Sequence, residues 1–228
     1  MKAQWDTSKG NYRQIDASEL VLKEPPVTII ATLRESDTAV LIAADSGGME
    51  TPGNIRIQFP IKLRKHSTAS LAWGYTGNPT IGDDFTDWLK AYEWPPTSWR
   101  TFRDDAIRYL ATLNGKQREL VELSRARPGE EDTAQVLLVG WLGRPEILEL
   151  DDRGLATSYS DDQFHAVGTG KVVALIAYKA LEDEPSSPLE KMERIMGVAS
   201  RMTPKCDPPV HIWRVTAESI TGVTVMRT

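Results

Sequence analysis

The chain has 228 residues, 40% of them hydrophobic, enough for one substantial core, and no shift in composition divides it, so a single domain is expected. A net charge of −5, with 27 basic residues scattered among 32 acidic ones, argues against a nucleic-acid or anionic-membrane partner. One cysteine (Cys206) and three dispersed histidines (His66, His165, His211) leave no intrachain disulfide, no zinc-ligand spacing and no cofactor signature, and no run approaches the ~18 apolar residues of a membrane span.

In chain order, residues 1 to 26 are polar and charged and close on Glu24-Pro25-Pro26, where proline bars helix; they read as a leader or surface arm ahead of a domain at 27 to 228. The N-terminus lacks an apolar export segment, and the acidic, disulfide-free chain fits a cytoplasmic setting. Thr28 to Leu33 and Ala39 to Asp45 are apolar, β-branched runs joined by polar residues 34 to 38, a buried hairpin. Met49 to Asn54 is a turn-rich link, Ile55 to Arg64 a strand interrupted at Pro60, and Ser70 to Tyr75 a short strand. Helical spacing follows: Phe85, Trp88, Leu89 and Tyr92 form one stripe, and Phe102, Ala106, Tyr109, Leu110 and Leu113 another that Thr101 and Asp104 open as a capping box. Trp94-Pro95-Pro96 makes the corner between them. Ala134 to Leu142 and Glu146 to Leu150 are paired strands across Gly143-Arg144-Pro145, with a turn at 151 to 154. Gly168-Thr169-Gly170 leads into the apolar helix VVALIAYKALE, and Ser187-Pro188-Leu189-Glu190 caps another. His211 to Thr216 and Gly222 to Met226 end the chain as strands.

Grouped strands and grouped helices favour an antiparallel α+β architecture over a doubly wound parallel sheet. Two sheets packed face to face, with a helix pair on each outer face, satisfy the order. Four segments, VTIIAT, AVLIAADS, LAWGYTGN and AVGTGKVVALIAYKAL, lie in the order and between the elements of the β-type proteasome family and its bacterial relatives, the N-terminal-nucleophile (Ntn) hydrolases. The chain resembles that family over most of residues 27 to 216. The resemblance implies a four-layer αββα sandwich, a homo-oligomeric ring or spiral, an ATPase partner and, for an active copy, a peptide or protein substrate. Aromatic residues on the helices, Trp88, Tyr92, Trp99 and Tyr109, fit an oligomer interface.

In that family a terminal threonine attacks a peptide carbonyl and its own amine serves as base. The resemblance puts Asp45 and Lys62 at the supporting aspartate and lysine, and Thr169 of the 168–170 loop where a serine is common. Two registers are open at the nucleophile. Aligning Ala31 and Ile30 with the family's first strand puts Val27 there and lengthens the hairpin loop by two, which keeps both strands' faces. Placing Thr28 there slips the loop by one residue and requires a β-bulge. The first register is the cheaper one; it lacks a hydroxyl, and the function expected from the sequence is therefore a divergent relative with a degenerate peptidase site and an assembly or binding role, the alternative being an active threonine peptidase or amidohydrolase using Thr28 after leader removal. Pro26 or Val27 stands where self-cleavage favours glycine, and Thr203 and Cys206 align loosely with the residues that brace the terminal amine. GTGK lacks the remaining residues of a phosphate loop, and no G-x-S-x-G is present. His165 and His211 read as structural.

Overall fold

The structure, a computed structural model, describes residues 4–6, 11–13, 28–46, 49–51, 55–57, 62–124, 134–151, 155–159, 163–203, 206 and 208–226. The boundary at 26, Val27 and Pro60 lie outside the described residues. Two small hairpins, β1 (Gln4–Asp6) with β2 (Asn11–Arg13) and β5 (Met49–Thr51) with β6 (Ile55–Ile57), form sheets of their own.

Ten strands form the two main sheets. The first sheet has the order β12-β3-β4-β13-β14, from Phe164–Val167, Ile30–Ser36, Ala39–Ala44, Val210–Val215 and Ile220–Met226. The second has the order β11-β10-β9-β8-β7, from Ala156–Ser158, Pro145–Leu150, Ala134–Trp141, Leu71–Gly77 and Arg64–Lys65. Every pairing in both is antiparallel. This agrees with the expectation from grouped elements, because antiparallel neighbours need only hairpins whereas parallel ones need a crossover each time.

Three apolar clusters explain why the central strands carry almost no polar residues. Side chains alternate between faces along a strand. Ile29, Ala31, Leu41 and Ala43 point to one side and pack with α3 (Lys171–Leu181) and α4 (Pro188–Met202), through residues such as Ala177 and Ile195. Their neighbours Ile30, Val40 and Ile42 point the other way, onto Leu137, Val139 and Ile147 of the second sheet. From that sheet's opposite face, Trp73, Val136, Leu138 and Leu148 meet Phe85, Leu89, Phe102 and Leu110 of α1 (Pro79–Ala91) and α2 (Trp99–Ser124). A strand buried on both faces has no use for a polar alternate, so its sequence reads as a continuous apolar run.

Helix boundaries follow local chemistry with one departure. Asn78 caps α1 by accepting from Thr80 and Ile81 N–H, and Ser187 and Glu190 form the expected reciprocal capping box on α4. The cap of α2 is not Thr101: the Ser98 hydroxyl accepts the Thr101 N–H at 3.1 Å, and the helix begins at Trp99. The reason is tertiary, since the Trp99 ring tilts against Phe102 with centroids 5.2 Å apart and covers Gly140, where a Cβ would come within 2.8 Å of it. The aromatic residues expected at an interface are engaged within the chain, Trp88 stacking on Tyr109 at 5.1 Å and touching Tyr92 at 5.0 Å. Strands β11 and β12 were not anticipated from the sequence.

Candidate active site

Three side chains from three distant segments meet at one end of the sandwich. Asp45 follows β4 and is fully buried. Its position is set by the first sheet: its N–H donates to the Ile29 carbonyl at 3.3 Å, and the Ile29 N–H donates to its Oδ1 at 2.9 Å. Thr28, 5% exposed, immediately precedes Ile29. Lys62 arrives from the segment leading into β7, in the second sheet. Its ammonium donates to Asp45 Oδ1 and Oδ2, each at 3.1 Å, and to Thr28 Oγ1 at 3.0 Å. The lysine side chain is 10% exposed and the aspartate 0%, so the pair operates at low local dielectric, where attraction is strong and the loss of either partner costly.

This arrangement has definite chemical capacity. An ammonium donating to a hydroxyl oxygen stabilises negative charge developing there, and a carboxylate that accepts from the same ammonium keeps it aimed. The hydroxyl's own proton is not engaged by Lys62, which can only donate.

The β3–β4 ladder is irregular near its turn. Arg34 pairs with Val40 but Ser36 with Ala39, so Glu35 is an extra residue in β3 and the ladder carries a bulge there. Arg214 holds the extra residue, donating to Glu35 at 2.6 and 2.7 Å. The strand faces below it remain consistent, with Ala31 opposite Ala43 and Leu33 opposite Leu41.

The glycine loop borders the site through backbone. Gly168 has φ +90°, and a Cβ there would lie 2.2 Å from the Thr28 carbonyl oxygen and 3.5 Å from the Thr76 hydroxyl at the end of β8. Gly170 N–H donates to the same Thr28 carbonyl at 3.4 Å. Thr169 is exposed, and the loop meets Thr28 at its two glycines.

Near the C-terminus, Cys206 is buried. Burial pushes its thiol far up, the Asp45 charge adds to this and Lys62 partly opposes it, so the thiol lies within electrostatic reach of the pair and stays protonated. Ser46 and Thr203 bring buried hydroxyls without a hydrogen-bond partner among the described residues. Ser46 had no distinguishing signal in the sequence; its neighbour Asp45 is the only pointer. Among the described residues, no group of three His, Cys, Asp or Glu side chains could hold a metal ion.

No family model matches the chain, and no curated protein matches it in sequence. Solved structures do match. Eukaryotic HslV from Trypanosoma brucei, seen in a crystal structure, aligns with 82% of this chain and 99% of its own, with a TM-score of 0.58 and 18% identity. The chain shares the fold of HslV. The spatial comparison thus supports a fold of the kind that the four sequence segments imply. Among the described residues, no helix is long and apolar enough to cross a membrane.

Proposed function

We propose that this protein is a cytoplasmic threonine-type Ntn hydrolase with a four-layer αββα sandwich, acting on peptide or protein substrates. The observation that carries the reading is the single ammonium of Lys62 held between Thr28 Oγ1 and both oxygens of buried Asp45. Cleavage before Thr28 frees its amine. That amine takes the hydroxyl proton as Oγ1 bonds to the substrate carbonyl carbon, while Lys62 stabilises the charge forming on Oγ1 and Asp45 orients Lys62. The leaving amine takes a proton as the amide bond breaks, and water then hydrolyses the ester. Thr169 lies exposed in the loop that meets Thr28 through Gly168 and Gly170, and no step is assigned to it. Assembly into a homo-oligomeric ring or spiral working with an ATPase belongs to the same reading; exposed Val172 and Ile176, one turn apart on α3, support an assembly face.

A second reading keeps the fold and drops the chemistry. Val27, not glycine, precedes Thr28, and a β-branched residue resists the tight backbone geometry of self-cleavage, which favours a degenerate site with an assembly or binding role.

Intact mass of the expressed chain separates the two. The proposal expects a product beginning at Thr28, hydrolysis of peptide substrates, loss of both processing and turnover in Thr28→Ala, and a fall of about 10²-fold or more in Lys62→Ala. A chain that retains its leader, hydrolyses nothing and does not react with threonine-directed covalent inhibitors would establish the degenerate reading instead.

A further inference from the structure

The candidate site draws on both sheets: Thr28 and Asp45 belong to the first, and Lys62 leads into β7 of the second. Its geometry therefore depends on how the sheets are held against each other, and on where the loop after β12 meets Thr28. Strand β12 is four residues long, lies at the edge of the first sheet and pairs only with β3. A short edge strand is weakly placed by its ladder alone.

His165 of β12 supplies a second attachment. Its Nε2 lies 2.7 Å from Glu149 Oε2 on β10 of the other sheet, and the two side chains are only 8% and 12% exposed. Tyr159, which follows β11, stacks on the imidazole with centroids 3.5 Å apart and donates its hydroxyl to the same Glu149 oxygen at 3.0 Å. Lys171, the first residue of α3, lies near enough for its charge to act on Glu149. On β3 the neighbour of His165 is Thr32, whose hydroxyl reaches the His165 carbonyl at 3.5 Å, and the next charge along that strand, Arg34, reaches the Pro145 carbonyl of β10 at 3.5 Å. Three residues past His165 the chain turns at Gly168 against the Thr28 carbonyl.

We infer that His165 and Glu149 are positioning residues, a strut tying β12 to the second sheet that sets where the 168–170 loop, and with it Thr28, stands relative to Lys62. The inference of an effect on turnover rests on the proposed hydrolase; the effect on the loop does not. Because the strut acts through the 168–170 loop, its loss should lower the rate of the bound complex more than the affinity for substrate.

The test uses the full chain. His165→Leu keeps bulk but cannot donate, whereas His165→Gln keeps a donor. In His165→Leu, hydrogen exchange of the amides at 168–171 should rise about tenfold with β9 unchanged, and kcat should fall about tenfold with KM within about twofold. His165→Gln should stay within about threefold of the wild type on both measures. Unchanged exchange at 168–171 in His165→Leu, or equal losses of kcat in the two variants, would overturn the strut. Should His165→Leu fail to fold, Glu149→Gln removes the carboxylate charge that the imidazole meets; about threefold faster exchange there supports the inference and no change overturns it. A wild type that hydrolyses nothing refutes the proposed function, and exchange at 168–171 then decides the strut by itself.

Discussion

At the scale of single residues, the site depends on side chains that are present and on one that is absent. Gly168 combines a left-handed φ of +90° with a position where any Cβ would strike the Thr28 carbonyl. Gly168→Ala should therefore cost at least 1 to 2 kcal/mol from backbone strain alone, about 2 to 8 °C in melting temperature, and should displace Thr28. Gly115 is the control. It is exposed within α2 with nothing within 4 Å of a Cβ, so Gly115→Ala should stabilise the chain by up to about 1 kcal/mol. Calorimetry on the two variants should show opposite signs; a Gly168→Ala chain as stable as the wild type would contradict the close approach. Asp45 and Lys62 could be singled out in sequence from the order of the family-like segments, whereas Thr28 stood there only as the alternative to Val27. Ser46 and Glu149 could not, because nothing in their neighbourhoods distinguishes a buried polar group from a solvated one.

Among the elements, the β3–β4 hairpin and the β10–β12 edge matter most. The bulge at Glu35 could not be read locally: the hairpin loop tolerates either length, and the extra residue is accommodated where Arg214, 179 residues away, meets its carboxylate. Strand β12 was missed for a related reason, since four residues between turns acquire strand character only by pairing with β3. The Glu149 tie makes the edge sensitive to acid. Burial pushes the Glu149 carboxyl up, but the hydrogen bond and charge of His165, with Lys171 and Tyr159, hold it below the ordinary carboxylate value. A carboxyl lowered on folding stabilises fully above its unfolded value and loses that contribution as pH falls through its folded value. Glu149→Gln should thus lose stability relative to wild type at neutral pH, and the gap should close in acid. Denaturant melts across pH would show this convergence; a gap that does not narrow toward acid would contradict it.

For the molecule as a whole, the proposed assembly makes a prediction about one exposed stripe. The aromatic side chains of α1 and α2 are spent on each other, while α3 leaves Val172 and Ile176 about two-thirds exposed on one stripe. Sedimentation should show a species larger than the monomer at micromolar concentration, and Ile176→Glu should shift it toward monomer by placing a charge in an apolar contact. Monomer alone in the unaltered chain would contradict the assembly reading.

Sequence alone determined the grouping of long strands and helices, the antiparallel pairing it implies, the capping box of α4 and the doubly buried central strands, though not the short strands β5, β11 and β12, because periodicity and capping are short-range consequences of backbone geometry. The family resemblance singled out Asp45 at the end of one apolar run and Lys62 within another, without a distance between them. Only tertiary structure decided that Thr28 meets Lys62, that α2 begins a turn's fraction early under Trp99, and that Glu149 and His165 bind the two sheets together. Those outcomes depend on contacts between segments 34, 41 and 16 residues apart. No local pattern encodes a distance between two such segments; the packing of one sheet on the other does.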